Sequence, residues 1–133
     1  MTDPSHAAPA PLRVLVVDPD DRIRESLARL LPIGGRCIVV GSAGEPERAV
    51  QLATEIAPDV IILDCRLPED GLGGSLVDRL REVAPASRIV VLNWTAADRP
   101  TPALDGADAY IRKTFRPHEL IDAVVAAARP SVA

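Results

Sequence analysis

A doubly wound α/β fold built on a five-stranded parallel sheet follows from three features of this sequence. Five short apolar, β-branched runs alternate with segments whose apolar residues recur at helical spacing. The runs are continuous instead of alternating, the pattern of strands covered by helices on both faces. They also end on residues that carry chemistry: residues 14–17 stop at Asp18 and residues 60–63 at Asp64. Residues 89–92 lead through Asn93 and Trp94 to Thr95, and residues 109–112 end at Lys113. Open α/β sheets place their chemistry at the carboxyl ends of the strands, so these four side chains outline a phosphoryl-accepting pocket.

Each element has its own local cause. The first strand covers Leu12 to Val17, and Asp18, Asp20 and Asp21 then offer helix caps and first-turn acids. Ile23, Leu27, Leu30 and Leu31 form the buried stripe of a helix that ends near Pro32, with Gly34-Gly35 as the turn. Residues 37–41 make the second strand. Pro46 suits the first turn of a second helix carrying Ala49, Val50, Leu52, Ala53 and Ile56, closed by Ala57-Pro58. Residues 59–63 form the third strand and lead, through Asp64, into a loop holding Pro68, Gly71, Gly73 and Gly74. A third helix with Leu76, Val77, Leu80 and Val83 stops at Ala84-Pro85. Residues 88–92 and 109–111 are the fourth and fifth strands, and a last helix beginning near Pro117 buries Leu120, Ile121, Val124 and Val125. This alternation implies right-handed crossovers with helices on both sheet faces.

With 133 residues the chain holds one domain with a real core. Residues 1–11 read as a short N-terminal tail, 12–129 as the domain and 130–133 as a C-terminal tail, which leaves no room for an output domain. The opening residues have neither a basic start nor an apolar stretch, and no run approaches membrane-spanning length, so a cytoplasmic location without a membrane partner is expected. A net charge of −4 argues against direct nucleic-acid binding, which needs a basic surface. Cys37 and Cys65 read as reduced core or loop thiols. Only 2% of residues are aromatic, so the core has to be Val, Ile, Leu and Ala.

The ordered set of Asp18, Asp64, Thr95 and Lys113, with Pro68 after Asp64, Tyr110 before Lys113 and Phe115 after it, resembles the receiver domain of bacterial two-component response regulators. The resemblance runs from about Leu12 to Arg129 and implies the strand order 2-1-3-4-5. It implies that Asp64 accepts a phosphoryl group from a histidine kinase or phosphotransfer protein and that Thr95 and Lys113 contact the phosphoryl oxygens. Tyr110, with Thr95, would report the state to a downstream protein target, and a homodimer stays open. Mg2+ is the implied cofactor, held by Asp18, Asp64 and the backbone carbonyl of Arg66, with Asp20 as a further candidate; two carboxylates and waters are a usual Mg2+ set. No enzymatic activity is expected beyond self-catalysed phosphorylation and dephosphorylation of Asp64.

Three departures accompany the resemblance. Most receivers carry two adjacent acids after the first strand, whereas here the sequence is Asp18-Pro19-Asp20-Asp21 and Mg2+ binding should be weak. Thr114 stands where family members often place a cis proline; a cis bond there would cost roughly 3 to 4 kcal/mol, so Lys113-Thr114 is expected trans. Between Thr95 and Lys113 the segment is about a turn short and contains Pro100, Pro102 and Gly106, which shortens or disrupts the family's fourth helix. At most one turn near Ala103-Leu104-Asp105 is expected, and residues 96–108 should open at low cost.

Two other readings compete. Pro19 and the shortened segment favour a degenerate receiver that binds partners without phosphate. A flavin or nucleotide enzyme on the same fold is disfavoured, because the turn after the first strand is acidic and lacks a Gly- or Ser/Thr-rich phosphate cradle.

Overall fold

The computed structural model describes residues 10–64, 66–67, 75–93, 106–112 and 116–128. In chain order they form β1 (Leu12–Val17), α1 (Asp21–Leu30), β2 (Cys37–Ala43), α2 (Pro46–Ile56), β3 (Val60–Asp64), α3 (Leu76–Val83), β4 (Arg88–Asn93), β5 (Ala109–Arg112) and α4 (Pro117–Ala128). The strands form one sheet, ordered β2-β1-β3-β4-β5, with every neighbouring pair parallel. This is the order implied by the resemblance. Pro100, Pro102, Ala103 to Asp105, and the Lys113-Thr114 bond lie outside the described residues, as do Cys65, Pro68 and Phe115.

Strand alternation divides the core into two layers. Leu15, Val17, Ile61, Leu63, Ile89 and Val91 meet Ala49 and Leu52 of α2 and Leu76, Val77 and Leu80 of α3. Val14, Val16, Val60, Ile62, Val90 and Leu92 meet Leu27 of α1 and Leu120, Ile121 and Val124 of α4. β3 is buried along its whole length, its four apolar residues as a strand covered on both faces requires and Asp64 with them. β5, at the sheet edge, alternates between half-buried and exposed residues.

The helix ends follow from local chemistry. Asp20 caps α1 by accepting the Arg22 N–H at 2.9 Å, and Pro46 opens α2 where no amide donor is needed. α2 ends on Ala57 in a left-handed conformation, φ 49°. The Arg13 guanidinium holds that end, donating to the carbonyls of Ile56 and Ala57 at 3.1 Å, a favourable place for a cation. Strand boundaries run slightly past the sequence expectation: β2 continues to Ala43, and Asp64 and Asn93 are the last residues of their strands. Parallel pairing extends the ladder to the Asp64–Leu92 and Asn93–Arg112 partners, which hydropathy alone does not register.

Asp108 fastens the edge strand to β4. Its carboxylate accepts the Ile89 N–H at 2.8 Å, and it pairs with Arg81 of α3 at 3.3 Å and Arg88 of β4 at 3.4 Å. Its own N–H returns to the Ile89 carbonyl at 2.8 Å. Burial pushes the Asp108 pKa up, but the Ile89 N–H and the Arg81 and Arg88 charges outweigh it and hold the group below its ordinary 3.8. A carboxyl whose folded pKa is depressed contributes stability above its unfolded value and loses it as pH falls through the lower folded value. Replacing Asp108 by Ala strands the Ile89 N–H, so Asp108→Ala should destabilise by about 2 kcal/mol at neutral pH. In urea titrations the gap between wild type and variant should narrow as pH is brought below 3.8.

Candidate functional site

The carboxyl edge of the sheet gathers two buried acids. Val17 pairs with Leu63, so the next residues, Asp18 and Asp64, emerge from adjacent strands at the same level and on the same side. Both are 1% exposed, a degree of burial that a carboxylate tolerates only when donors or a cation meet it. The same backbone device serves each. Asp18 Oδ1 accepts the Asp20 N–H at 2.8 Å and Asp64 Oδ1 accepts the Arg66 N–H at 2.7 Å, both two residues ahead, the turn that Asp side chains make with their own backbone.

Beyond that turn the two acids differ. The Arg66 side chain folds back on Asp64: Nε donates to Oδ1 at 3.0 Å and Nη2 to Oδ2 at 3.1 Å. This is the fork geometry in which guanidinium and carboxylate match. Arg24 of α1 approaches the Asp18 side of the edge, donating through Nη1 to the Asp18 carbonyl at 2.6 Å. It fits because residue 44 is glycine: a Cβ there would stand 2.8 Å from Arg24 Nη1. The Asp18 N–H completes the corner by donating to the Ala43 carbonyl at 3.0 Å.

The remaining site residues are distributed as follows. Asp20 is exposed and caps α1. Tyr110 lies on β5 opposite Val91 and is 48% exposed. Thr95 and Lys113 lie outside the described residues. Sequence reasoning passed over three features. It assigned Arg66 only a backbone carbonyl, because the side chain's return onto Asp64 depends on the turn. Arg24 carried no signal beyond helical spacing. The sequence pattern puts Asn93 in a connection, yet it ends β4, one residue past the partner of Asp64, and its buried Oδ1 has no hydrogen-bond partner among the described residues. A polar residue closing an apolar run was its only trace.

An all-oxygen donor set of two carboxylates and a backbone carbonyl suits Mg2+, which keeps several waters and needs few protein ligands. Among the described residues no third His, Cys, Asp or Glu joins them, in keeping with Pro19 standing beside Asp18.

Residues 14–125 match the model of the response regulator receiver domain. The nitrate/nitrite response regulator protein NarL of Escherichia coli is 33% identical over 121 residues, covering 89% of this chain and 55% of that protein. The transcriptional regulatory protein PdtaR of Mycobacterium tuberculosis is 36% identical over 128 residues, covering 93% and 61%. The chain thus spans little more than half the length of these relatives. Among solved structures, the signal receiver domain of NarL from Mycobacterium tuberculosis superposes with a TM-score of 0.74 at 31% identity, covering 90% of this chain and 98% of that one.

The cap at Asp20 is open to test by stability. Asp20→Ala should cost about 1 kcal/mol in urea unfolding, whereas Asp20→Asn, which keeps an accepting oxygen, should cost almost nothing. Equal losses in the two variants would mean that the charge of Asp20 matters and its capping bond does not.

Proposed function

This chain belongs to the response regulator receiver domain family, and we propose that it accepts a phosphoryl group on Asp64 to switch its protein interactions. The observation that carries the reading is the Asp64 carboxylate, buried at the carboxyl edge of the sheet beside Asp18. The donor is a phosphohistidine of a sensor histidine kinase or phosphotransfer protein. An Asp64 oxygen attacks phosphorus, the new O–P bond forms as the P–N bond breaks, and the departing electron pair returns to the imidazole nitrogen, which takes up a proton.

Mg2+, when bound, neutralises charge on the phosphoryl oxygens. Asp18, Asp64 and the Arg66 carbonyl are the groups to hold it. Thr95 would donate its hydroxyl, and Lys113 its ammonium, to the oxygens of the transferred group. Tyr110, half exposed on the edge strand, would turn inward as Thr95 is drawn toward the phosphoryl group and so change the surface offered to a downstream protein target. In this mechanism turnover is confined to making and hydrolysing the phosphoryl-Asp64 bond.

A second reading, a receiver that binds its partner without phosphate, is favoured by the absence of a third carboxylate among the described residues and by the fork that Arg66 already places on Asp64. Intact-mass measurement separates the two. Treatment with acetyl phosphate and Mg2+ should add one phosphoryl group to the wild type and none to Asp64→Asn. An unmodified wild type would support the second reading, and an adduct surviving in Asp64→Asn would move the nucleophile elsewhere. Restoring a second acid should strengthen the metal site, so Pro19→Asp should bind Mg2+ several-fold more tightly by calorimetry. Unchanged affinity would mean that Asp20 or Asp21 already serves as that ligand.

A further inference from the structure

The Arg66 side chain has an asymmetric relation to Asp64. The side chain of Asp64 is 0% exposed and that of Arg66 51%. The carboxylate has no access to water and always needs a partner, whereas the guanidinium can swing outward and be solvated at little cost. Between them they use much of the lone-pair capacity of Asp64: Oδ1 receives the Arg66 N–H and Nε, and Oδ2 receives Nη2. The backbone bond belongs to the turn and is compatible with a bound cation. The fork is not, because a divalent ion and a guanidinium cannot share one edge of a carboxylate, and their like charges repel at that distance.

From this geometry we infer that Arg66 is a resting counter-cation of Asp64 and that Mg2+ has to displace its guanidinium to bind. Arg66 would then set the metal affinity of the site from both sides, its carbonyl drawing the ion and its side chain opposing it. A fork supplies both charge and directed donors, so a lysine, a flexible point charge, would compete less well. The inference rests on the reading of Asp64 as part of a Mg2+ site, but it does not require that Asp64 ever be phosphorylated.

The test is Mg2+ titration by calorimetry of the whole chain without any phosphoryl donor. Arg66→Ala should bind Mg2+ about tenfold more tightly than wild type, the scale on which one charge-assisted pair competes, and Arg66→Lys should fall between them. Arg79→Ala on α3 removes the same charge away from the carboxyl edge and should leave the affinity unchanged. In the Asp64→Asn background, Arg66→Ala should bring no gain. In nitrogen NMR, the Arg66 Nε–H resonance of the wild type should shift as Mg2+ is added. An Arg66→Ala affinity equal to or weaker than wild type would overturn the inference, as would a gain of equal size in Arg79→Ala or an Arg66 Nε–H signal indifferent to Mg2+. Failure of the phosphoacceptor reading would appear separately, as a missing mass adduct with the Mg2+ titrations intact.

Discussion

Two carboxylates buried side by side at the end of an apolar sheet are the constraint around which this molecule is arranged. Asp18 and Asp64 are shut away from solvent, and each needs compensation that the sheet itself does not provide. The protein supplies it in layers. Backbone N–H groups two residues ahead close onto each Oδ1. Arg66 then brings a full positive charge to Asp64, while Arg24 ties the Asp18 backbone to α1. Lost hydration is the cost that both acids carry into the fold, and these donors and the Arg66 charge offset it.

The sheet creates the constraint through register. Val14, Val16 and Val17 of β1 pair with Val60, Ile62 and Leu63 of β3 without offset, so a polar residue placed directly after each apolar run emerges at one level. A one-residue slip would turn one of the acids to the opposite face. The apolar layers resist such a slip, since it would also exchange the residues facing α1 and α4 for those facing α2 and α3. Packing far from the edge thereby holds two charges together at it.

This explains why some of the molecule was legible in sequence and some was not. Continuous runs such as residues 60–63 announce buried parallel strands, and Pro46, Pro58 and Pro85 mark where helices begin or follow their ends, so the elements fall where hydropathy and proline place them. An Asp after a strand is by itself commonly a loop or capping residue, and Asp64 could be singled out because Asp18, Thr95 and Lys113 follow the other apolar runs. Arg66 could not, since nothing in a linear sequence says whether an arginine two residues on turns outward or folds back. The division of labour between Asp18 and Asp20 was equally hidden. Either can cap α1, and only the backbone around Pro19 assigns the cap to Asp20, leaving Asp18 with its Oδ1 closed on the Asp20 amide. Asn93 shows the same limit at a strand end, where a ladder extends one residue further than hydropathy alone indicates.

The edge strand is the least enclosed strand of the sheet. β1, β3 and β4 are locked between two helical layers, and displacing them would disturb both cores. Among the described residues β5 pairs with β4 alone; Ala109 and Ile111 pack against the core while Tyr110 and Arg112 are exposed. Its N-terminal end is fastened by Asp108 to the Ile89 backbone and to Arg81 and Arg88, and its C-terminal residue Arg112 pairs with Asn93 at the carboxyl edge. Tyr110, near the middle of this strand and half exposed, is the one large hydrophobic side chain that it presents to solvent among the described residues. The Asp108 clamp thus ties three elements at one corner, the edge strand, β4 through Ile89 and Arg88, and α3 through Arg81.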